Sequence, residues 1–379
     1  MIVIGGGIMG LCTALSLRRS GHRVALYEQG PIPNPAGSSV DHHRLIRHPY
    51  GPLSGYARLI DPAIAAWDRV WETVGQRLFQ PTGTIAMARG DGSWIEQSLK
   101  DMADLGIATE VLDAAGLQRR APMLHSDGIE LAAWIDSGGV LFADRIVAAV
   151  AKQLVLSGAT VHTHTPVIEI DTARGAIALE DGTRARADAL VVACGPWVRS
   201  LAPSTVGRVK PSRQVVAYLD PPDAHRTAWA SAPMILDIHS DGGIYAVPPC
   251  GNTPLKVGDH SFSRKGHPDR KRDVRPGEAE ALKEACRTRF RDIDDYAITG
   301  ATTCFYTVQA DERFIVERRE RAVIMTGFSG HGFKFGALMG ELASAMVTER
   351  VDPDEGSLWA AGGILDNDRS AAITTLCLG

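Results

Sequence analysis

Hydrophobic and polar positions alternate along this chain in short apolar runs and amphipathic stretches. The N-terminus predicts a strand over 2–4, a helix over about 9–20 and a second strand over 24–28. A glycine cluster separates the first strand from the helix. This order of elements predicts a β-α-β unit that belongs to a parallel sheet.

Elements of both types continue to the C-terminus. Apolar periodicity predicts further helices over 59–74, 93–105, 144–157, 277–290 and 336–348. It predicts strands over 82–88, 160–163, 167–172, 176–179, 189–193, 214–219, 243–247 and 323–326. Trp67 and Trp71 lie at i and i+4 of the helix over 59–74, which favours a core position for both.

Composition and charge exclude several classes of partner. The chain of 379 residues has a formal net charge of -4, which gives no electrostatic case for nucleic-acid binding. No stretch approaches the roughly 18 uninterrupted apolar residues of a membrane span. The start of the chain lacks the basic region of a secretory signal. The six cysteines are scattered without paired or metal-ligand spacing. We expect a cytoplasmic protein with reduced thiols and no metal site, bound to neither nucleic acid nor membrane.

The glycine cluster carries the first chemical motif, a GxGxxG placed between strand and helix. Gly5 permits the tight turn, Gly7 lets a pyrophosphate approach the backbone, and Gly10 lets helix and strand pack closely. The helix N-terminus then presents free N–H groups to the phosphates. Glu28 ends the second strand, where an acid accepts the ribose hydroxyls. Together these features predict a dinucleotide site, without separating FAD from NAD.

Two later segments resemble ligand-binding turns. An apolar strand over 189–193 ends in Cys194-Gly195-Pro196-Trp197. In an open α/β sheet, ligands bind in a crevice at the carboxyl ends of such strands. A plain core strand followed by a turn explains the same segment equally well. Near the C-terminus, a strand, the loop Gly327-Phe328-Ser329-Gly330-His331-Gly332 and a helix follow one another. The glycines of this loop let the backbone approach a flat ligand.

Three basic residues suggest recognition of an anion. Lys334, flanked by Phe333 and Phe335, is a cation in a partly apolar setting, which favours an anionic substrate. Arg44 and Arg47 lie at i and i+3 in a loop, and a guanidinium is a bidentate partner for a carboxylate. Composition alone slightly favours a solvated basic loop for this pair of arginines.

Six segments together resemble a known family. They are RLIRHPYG at 44–51, CGPW at 194–197, RQVV at 213–216, LKVGDH at 255–260, CFYTVQADERFIV at 304–316 and GFSGHGFKFG at 327–336. The chain resembles the sarcosine oxidase and N-methyltryptophan oxidase group of the D-amino-acid-oxidase-like (DAO) FAD-dependent oxidoreductases. The resemblance extends to about residue 347.

The resemblance implies FAD as the cofactor and two interleaved domains. An α/β, Rossmann-type FAD-binding domain is expected over 1–82, 140–208 and 307–379, and a mainly antiparallel-sheet substrate domain over 83–139 and 209–306. Cys304 matches the cysteine whose sulfur binds the 8α-methyl carbon of the flavin. The cofactor-binding positions predicted from motif and resemblance are Gly5, Gly7, Ile8, Met9, Gly10, Glu28, Arg44, Gly195, Trp197, Cys304, Gly330, Gly332, Phe333 and Lys334.

The resemblance also assigns a substrate pocket. Arg47 and Lys334 match the pair that binds the substrate carboxylate, and Arg44 the arginine beside the flavin ring. Lys256 matches the lysine over the opposite flavin face, which promotes the reaction with oxygen. The other active-site residues carried over are His260, Tyr245 and Tyr306.

Some positions depart from the family pattern. His42 and His43 stand where the family has an acid and a threonine before the first arginine. Ala246 and Val247 replace a glycine and a phenylalanine, and Asp259 replaces a tyrosine. We therefore expect a roomier or differently charged pocket, and sarcosine itself is not assured as the substrate.

The implied activity is oxidation of a small secondary or N-methyl amino acid by a monomer. A hydride passes from the C–N unit to flavin N5, an imine leaves, and O2 is reduced to H2O2. Three alternatives stay open: an oxidase of a cyclic imino acid or biosynthetic amine, a dehydrogenase of the same fold with another electron acceptor, and a flavoprotein without turnover.

Overall fold

The computed structural model describes residues 1–239, 242–270, 272–363 and 365–378. The chain begins with β1 (Ile2–Ile4), α1 (Ile8–Arg19) and β2 (Ala25–Tyr27), and the two strands are parallel. The predicted β-α-β unit is therefore confirmed.

The remaining strands agree with most of the predicted positions. In chain order they are β3 (Arg44–Ile46), β4 (Phe79–Pro81), β5 (Thr84–Ala88), β6 (Thr109–Leu112), β7 (Leu131–Ile135), β8 (Gly139–Leu141), β9 (Thr160–His162), β10 (Val167–Asp171), β11 (Ala176–Leu179), β12 (Arg184–Arg186), β13 (Leu190–Val192), β14 (Val209–Asp220), β15 (Met234–His239), β16 (Gly242–Val247), β17 (Leu255–Asp259), β18 (Ala297–Gln309), β19 (Ile315–Arg319) and β20 (Ala322–Thr326).

Five of the remaining helices fall where helices were predicted, and the six others were not predicted. In chain order they are α2 (Ser54–Arg58), α3 (Ile60–Val74), α4 (Ser93–Asp104), α5 (Ala114–Arg120), α6 (Ala143–Leu156), α7 (Val198–Leu201), α8 (Asp223–Ala230), α9 (Glu278–Ala285), α10 (Gly336–Val347), α11 (Pro353–Ala360) and α12 (Asn367–Leu378). Among the described residues, no helix has the length and apolar character that crossing a membrane requires.

A six-stranded sheet, whose strands come from both ends and the middle of the chain, forms the first large layer. Its order is β19-β20-β13-β1-β2-β9, and only β19 runs antiparallel to its neighbour. Ile2 of β1 lies between Leu190 of β13 and Ala25 of β2. Helix α10 packs against α1 and α3 and is buried along its whole length. A helix that is apolar all round belongs in the core of a protein. These features confirm the Rossmann-type part of the predicted fold.

An eight-stranded sheet forms the second large layer. Its order is β18-β14-β17-β16-β15-β5-β7-β6, and every pair is antiparallel except β15 and β5. The mainly antiparallel sheet is therefore confirmed. Two three-stranded sheets, β3-β8-β4 and β10-β11-β12, complete the structure. The domain boundaries stay a prediction, although the six-stranded sheet takes all its strands from the ranges predicted for FAD binding.

The helix predicted over 277–290 is wrong in extent, because α9 ends at Ala285. Beyond it, Phe290 is fully buried and pairs as an isolated bridge with Leu124, and Arg291 N donates to Met123 O. These non-local contacts stabilise an irregular backbone path after Ala285 in preference to a longer helix. In α3, by contrast, Trp67 and Trp71 stack at 5.1 Å and are buried, as predicted.

Candidate active site

The glycine turn brings β1, α1 and β13 unusually close together. Gly5 has a φ of +109°, and a Cβ on it would lie 2.3 Å from Ala193 O. A Cβ on Gly10 would lie 1.9 Å from Gly5 O. No side chain fits at either position, so glycine is required at both. At the start of α1, Ile8 N donates to Ser39 Oγ at 3.0 Å.

Glu28 stands at the end of β2, as predicted, and its carboxylate is held in place. It accepts hydrogen bonds from Gly6 N at 2.6 Å, Gly30 N at 3.0 Å and Asn34 Nδ2 at 2.8 Å. The side chain is buried next to the glycine turn. It therefore presents a fixed acceptor at the strand end.

A cavity of about 150 Å³, the cofactor cavity, extends from this turn into the protein. Most of the predicted cofactor residues line it, namely Gly5, Gly7, Ile8, Met9, Glu28, Arg44, Gly195, Trp197, Gly330, Gly332 and Phe333. Gly10 lies behind the turn, whereas Cys304 and Lys334 line an adjoining cavity. The backbone cradle, the helix N-terminus and the fixed acid fit a dinucleotide such as FAD. Arg44 and Tyr306 mark the inner end of the cavity.

The adjoining cavity, the inner pocket, has a volume of about 80 Å³ and shares Arg44, Tyr306, Ser329, Gly330 and Phe333 with the cofactor cavity. It also brings together the other predicted catalytic and substrate residues: Arg47, Tyr245, Lys256, His260, Cys304 and Lys334. All of these side chains therefore border one continuous space.

Sheet register explains how the pocket wall is built. Tyr245 on β16 lies opposite Gly258 on β17. A Cβ on Gly258 would lie 2.6 Å from Tyr245 Oη, so the glycine leaves room for the tyrosine ring. Cys304 and Tyr306 are two residues apart on β18 and therefore face the same side of the sheet.

Arg47 is a buried cation without a hydrogen-bonded counter-ion. It is 5% exposed, and its Nε and Nη1 have no hydrogen-bond partner among the described residues. Its guanidinium lies 4.6 Å from the Tyr50 ring centroid and 5.4 Å from that of Trp94. A buried guanidinium without hydrogen-bond partners costs free energy of folding unless a ligand supplies the missing acceptors. The position is suited to a carboxylate.

Lys334 is a second buried cation beside the first. Its Nζ donates to Tyr50 Oη at 3.0 Å and to His331 O at 3.1 Å. Burial, reinforced by repulsion from Arg47, holds the pKa of Lys334 well below its usual value. An anion bound between the two cations would favour their charged forms.

Two histidines next to these cations are neutral at physiological pH. Burial, with repulsion from Arg47 and Lys334, lowers the pKa of His260 to about 4. Burial also holds the pKa of His331 well below its usual value. The Nε2 of His331 is 3.0 Å from Glu312 O. Neither histidine competes with the two cations for an anionic ligand.

Lys256 belongs to a separate charged group. Its Nζ donates to Asp41 Oδ2 at 2.9 Å and to His43 O at 2.8 Å. Asp41, which directly precedes His42 and His43, supplies the carboxylate of this group. His43 is buried, and burial lowers its pKa to about 3.

Ala246 and Val247, which stand where the family has a glycine and a phenylalanine, both pack into the core. Ala246 is buried in the core cluster of the eight-stranded sheet, and Val247 packs with Val140 and Phe142. Neither side chain lines the inner pocket. Asp259 does line it, which agrees with a pocket of altered charge.

A third cavity, the outer chamber, continues from the inner pocket. It has a volume of about 510 Å³ and shares Arg47, Ile238, His260, Phe262 and His331 with the inner pocket. Tyr50, Trp94 and Glu312 extend its lining. It offers space beyond the two cations for a substrate larger than sarcosine.

Sequence reasoning assigned no role to several residues of the site. Tyr50 and His331 fall inside segments that carried the family resemblance, so their position in those motifs was the available signal. Glu312 also falls inside such a segment, at 304–316, whereas Asp41 and Trp94 belong to no motif and only the folded chain places them at the pocket.

Comparison with known proteins identifies the family. Residues 1–346 match the family model of DAO, FAD dependent oxidoreductase. Monomeric sarcosine oxidase of Bacillus sp. (strain B-0618) is 27% identical over 357 residues, covering 92% of this chain and 91% of that protein. N-methyl-L-tryptophan oxidase of Yersinia pestis (strain Pestoides F) is 25% identical, covering 93% and 96%.

A solved structure has the same fold. L-proline dehydrogenase from P. horikoshii superposes with a TM-score of 0.80 at 18% identity, covering 96% of this chain and 98% of that one. The family match spans nearly the whole chain and agrees with the glycine cradle and the cofactor cavity. The chain therefore belongs to the DAO family of FAD-dependent oxidoreductases, as its motifs predicted.

Proposed function

We propose that this protein is an FAD-dependent oxidase of a small secondary or N-methyl amino acid. The observation that carries the proposal is the pair of buried cations, Arg47 and Lys334, beside the inner end of the cofactor cavity. In the described part of the chain neither cation forms an ion pair with a carboxylate. A substrate carboxylate would fill that role.

The family and its relatives support this chemistry. The chain is an FAD-dependent oxidoreductase that acts on a CH–NH group. The relatives named above are oxidases of sarcosine and N-methyl-L-tryptophan. Both names describe N-methyl amino acids, whose carboxylate and secondary amine match a pocket with two cations and neutral histidines.

The residues of the pocket would position the substrate and its charges. Arg47 and Lys334 bind the carboxylate, which orients the C–N bond toward the cofactor cavity. The neutral histidines and the buried setting favour the uncharged amine. When bound, FAD accepts a hydride equivalent from the substrate carbon and passes two electrons to O2. The substrate leaves as an imine that water hydrolyses, and O2 takes up the two electrons with two protons as H2O2. Lys256 supplies a fixed positive charge for the negative charge that develops on oxygen.

The outer chamber favours a second candidate substrate class. Its space beyond Arg47 and His260 admits a ring or a larger side chain, as in a cyclic imino acid. The similarly folded L-proline dehydrogenase is named for a substrate of this class. The same name is compatible with an electron acceptor other than oxygen. A monomeric state and a cytoplasmic location complete the proposal.

Turnover with a substrate panel tests the proposed function. The purified holoenzyme is mixed anaerobically with sarcosine, bulkier N-methyl amino acids, L-proline and the matching primary amino acids. We expect a secondary amino acid to bleach the flavin absorbance, because the C–N unit reduces the cofactor. Air should then restore the absorbance with one H2O2 formed per imine. Bleaching by none of the secondary amines would contradict the proposal, and reoxidation by dyes but not by air would favour the dehydrogenase.

Covalent attachment of FAD through Cys304 gives a separate prediction. Burial raises the pKa of the Cys304 thiol, whereas nearby Arg44 and Lys256 favour its thiolate. We expect acid-precipitated wild-type protein to give a yellow pellet, and the Cys304→Ala protein to release its yellow colour into the supernatant. Cys194→Ala is the matched control, since Cys194 lines the cofactor cavity instead. A colourless wild-type pellet with a yellow supernatant would exclude the covalent bond and retain FAD.

A further inference from the structure

The carboxylate of Asp41 lies at the centre of a buried group of polar contacts. Its Oδ2 accepts from Lys256 Nζ at 2.9 Å and forms an ion pair with Arg44. Its Oδ1 accepts from Tyr218 Oη at 2.6 Å and from His42 N at 2.7 Å. The Asp41 backbone N–H donates to Asp144 Oδ1 at 2.6 Å. Both carboxylate oxygens are therefore satisfied, and Asp41 has little freedom to turn away.

Lys256 depends on this carboxylate for its charge. The side chains of Lys256 and Asp41 are only 2% and 4% exposed. Among the described residues, Asp41 is the acid that forms an ion pair with Lys256. Burial lowers the pKa of Lys256, Asp41 opposes that shift, and Arg44 adds to it. The same two cations keep the pKa of Asp41 well below its usual range, so its carboxylate is ionised.

Titratable and charged groups approach Lys256 from several elements. They are Asp41, His43 and Arg44 around β3, Tyr218 on β14, Tyr245 on β16, Asp259 on β17, Cys304 on β18 and Asp144 on α6. Asp144 accepts a hydrogen bond from the backbone N–H of Asp41, and Asp259 accepts one from the hydroxyl of Ser261. Only Asp41 places a carboxylate oxygen within bonding distance of the ammonium, in the part of the chain that the structure describes.

We propose that Asp41 is a positioning residue that fixes the Lys256 ammonium at the wall of the inner pocket and keeps it protonated. Asp41 itself acts on the reaction through Lys256. The consequence for oxygen rests on the proposed function, in which Lys256 supplies the positive charge for the developing oxygen anion. Asp41 lies outside the six segments that carry the family resemblance, and sequence spacing assigns it no role.

The sign of the expected pH effect follows from the contacts. Asp41→Asn removes the group that opposes the lowering of the Lys256 pKa, while Arg44 remains. The pKa of Lys256 therefore falls, and the ammonium loses its proton at a lower pH than in the wild type. The rate of flavin reoxidation by O2 should fall as the pH rises through that lower value.

The first test measures this pH profile in the holoenzyme. Reduced wild-type, Asp41→Asn and Asp41→Glu proteins are mixed with O2 from about pH 6 to about pH 9. We expect the asparagine variant to lose about tenfold in reoxidation rate across this range and the wild type to change little. Asp41→Glu should recover most of the wild-type profile. Glu341→Gln is the matched control, because it removes a buried carboxylate that pairs with Arg69 and lines neither the cofactor cavity nor the inner pocket, and its profile should follow the wild type.

The second test needs no cofactor. Denaturant unfolding of the apoprotein is compared for wild type, Asp41→Asn, Lys256→Met and the double variant. A buried cation without its partner is strongly destabilising, so Asp41→Asn should lower the unfolding midpoint most. Removing Lys256 as well should restore part of the loss, and this non-additivity reports the direct pair. If Asp41→Asn does not fold alone, recovery of folded protein in the double variant supports the same pairing.

Two outcomes would overturn the proposal. One is an Asp41→Asn enzyme whose reoxidation is slowed by the same factor at every pH, which indicates a merely structural role. The other is additive unfolding effects in the apoprotein cycle, which mean that the two side chains do not interact. A failure of the proposed function can be distinguished from a failure of this proposal, because unfolding of the four apoprotein variants does not depend on any substrate.

Discussion

Arg47→Met is expected to reduce kcat/KM for the amino-acid substrate by about 100- to 1,000-fold, equivalent to about 3–4 kcal/mol of lost binding. The guanidinium is buried, stacked near Tyr50 and Trp94, and has two nitrogen atoms without partners in the described structure. A carboxylate that accepts two hydrogen bonds from it gains charge-assisted contacts in a water-poor site. Methionine keeps most of the side-chain volume and removes those donors.

The comparison of two substrates separates recognition from damage to the fold. Steady-state kinetics of Arg47→Met are measured with the amino acid and with the corresponding amine that lacks the carboxylate. We expect the variant to discriminate far less between the two than the wild type does. Arg120→Met is the matched control, because Arg120 also lies over an aromatic ring, 4.5 Å from that of Trp134, and lines neither the inner pocket nor the outer chamber. An equal loss for both substrates would place the substrate carboxylate elsewhere.

Lys256→Met is expected to slow reoxidation of the reduced flavin by O2 by about 100- to 1,000-fold. A fixed positive charge costs no reorganisation when negative charge develops on oxygen, and methionine cannot supply it. Anaerobic reduction by the substrate should change by only about a few fold, since Arg47 and Lys334 remain to bind the carboxylate. Stopped-flow mixing measures each half-reaction separately.

The local structure should tolerate this substitution. In Lys256→Met, Asp41 keeps Arg44 and Tyr218 as partners, so its carboxylate stays paired. Lys210→Met is the matched control, because Lys210 is exposed on β14. An unchanged reoxidation rate in Lys256→Met would remove the assigned role of the lysine.

Much of the FAD-binding half was predictable because its signals are local. The spacing of Gly5, Gly7 and Gly10 after a three-residue strand determines the turn, and Glu28 follows at the end of the next strand. Each of these features acts through backbone geometry within one β-α-β unit. The helices predicted over 59–74 and 336–348 also agree with α3 and α10 to within a residue or so.

The antiparallel half was predicted less well, since its pairings are non-local. β14 and β18 are 12 and 13 residues long and pair along most of their length. The sequence predicted only 214–219 of this pair. The periodic pattern of a strand does not say which strand lies beside it, and the partners here are far apart in sequence, as Val209 and Gln309 are.

The residues of the candidate site also differ in whether local signals or non-local contacts determine them. By itself the sequence determined the β-α-β unit, the dinucleotide motif and, through its resemblance, the side chains that line the pocket. Only the tertiary structure placed Asp41 against Lys256, turned Ala246 and Val247 into the core, and brought Trp94 and Glu312 to the outer chamber. Local spacing sets backbone conformation, whereas burial, ion pairing and pocket shape arise from contacts between distant segments, which form only when the whole chain packs.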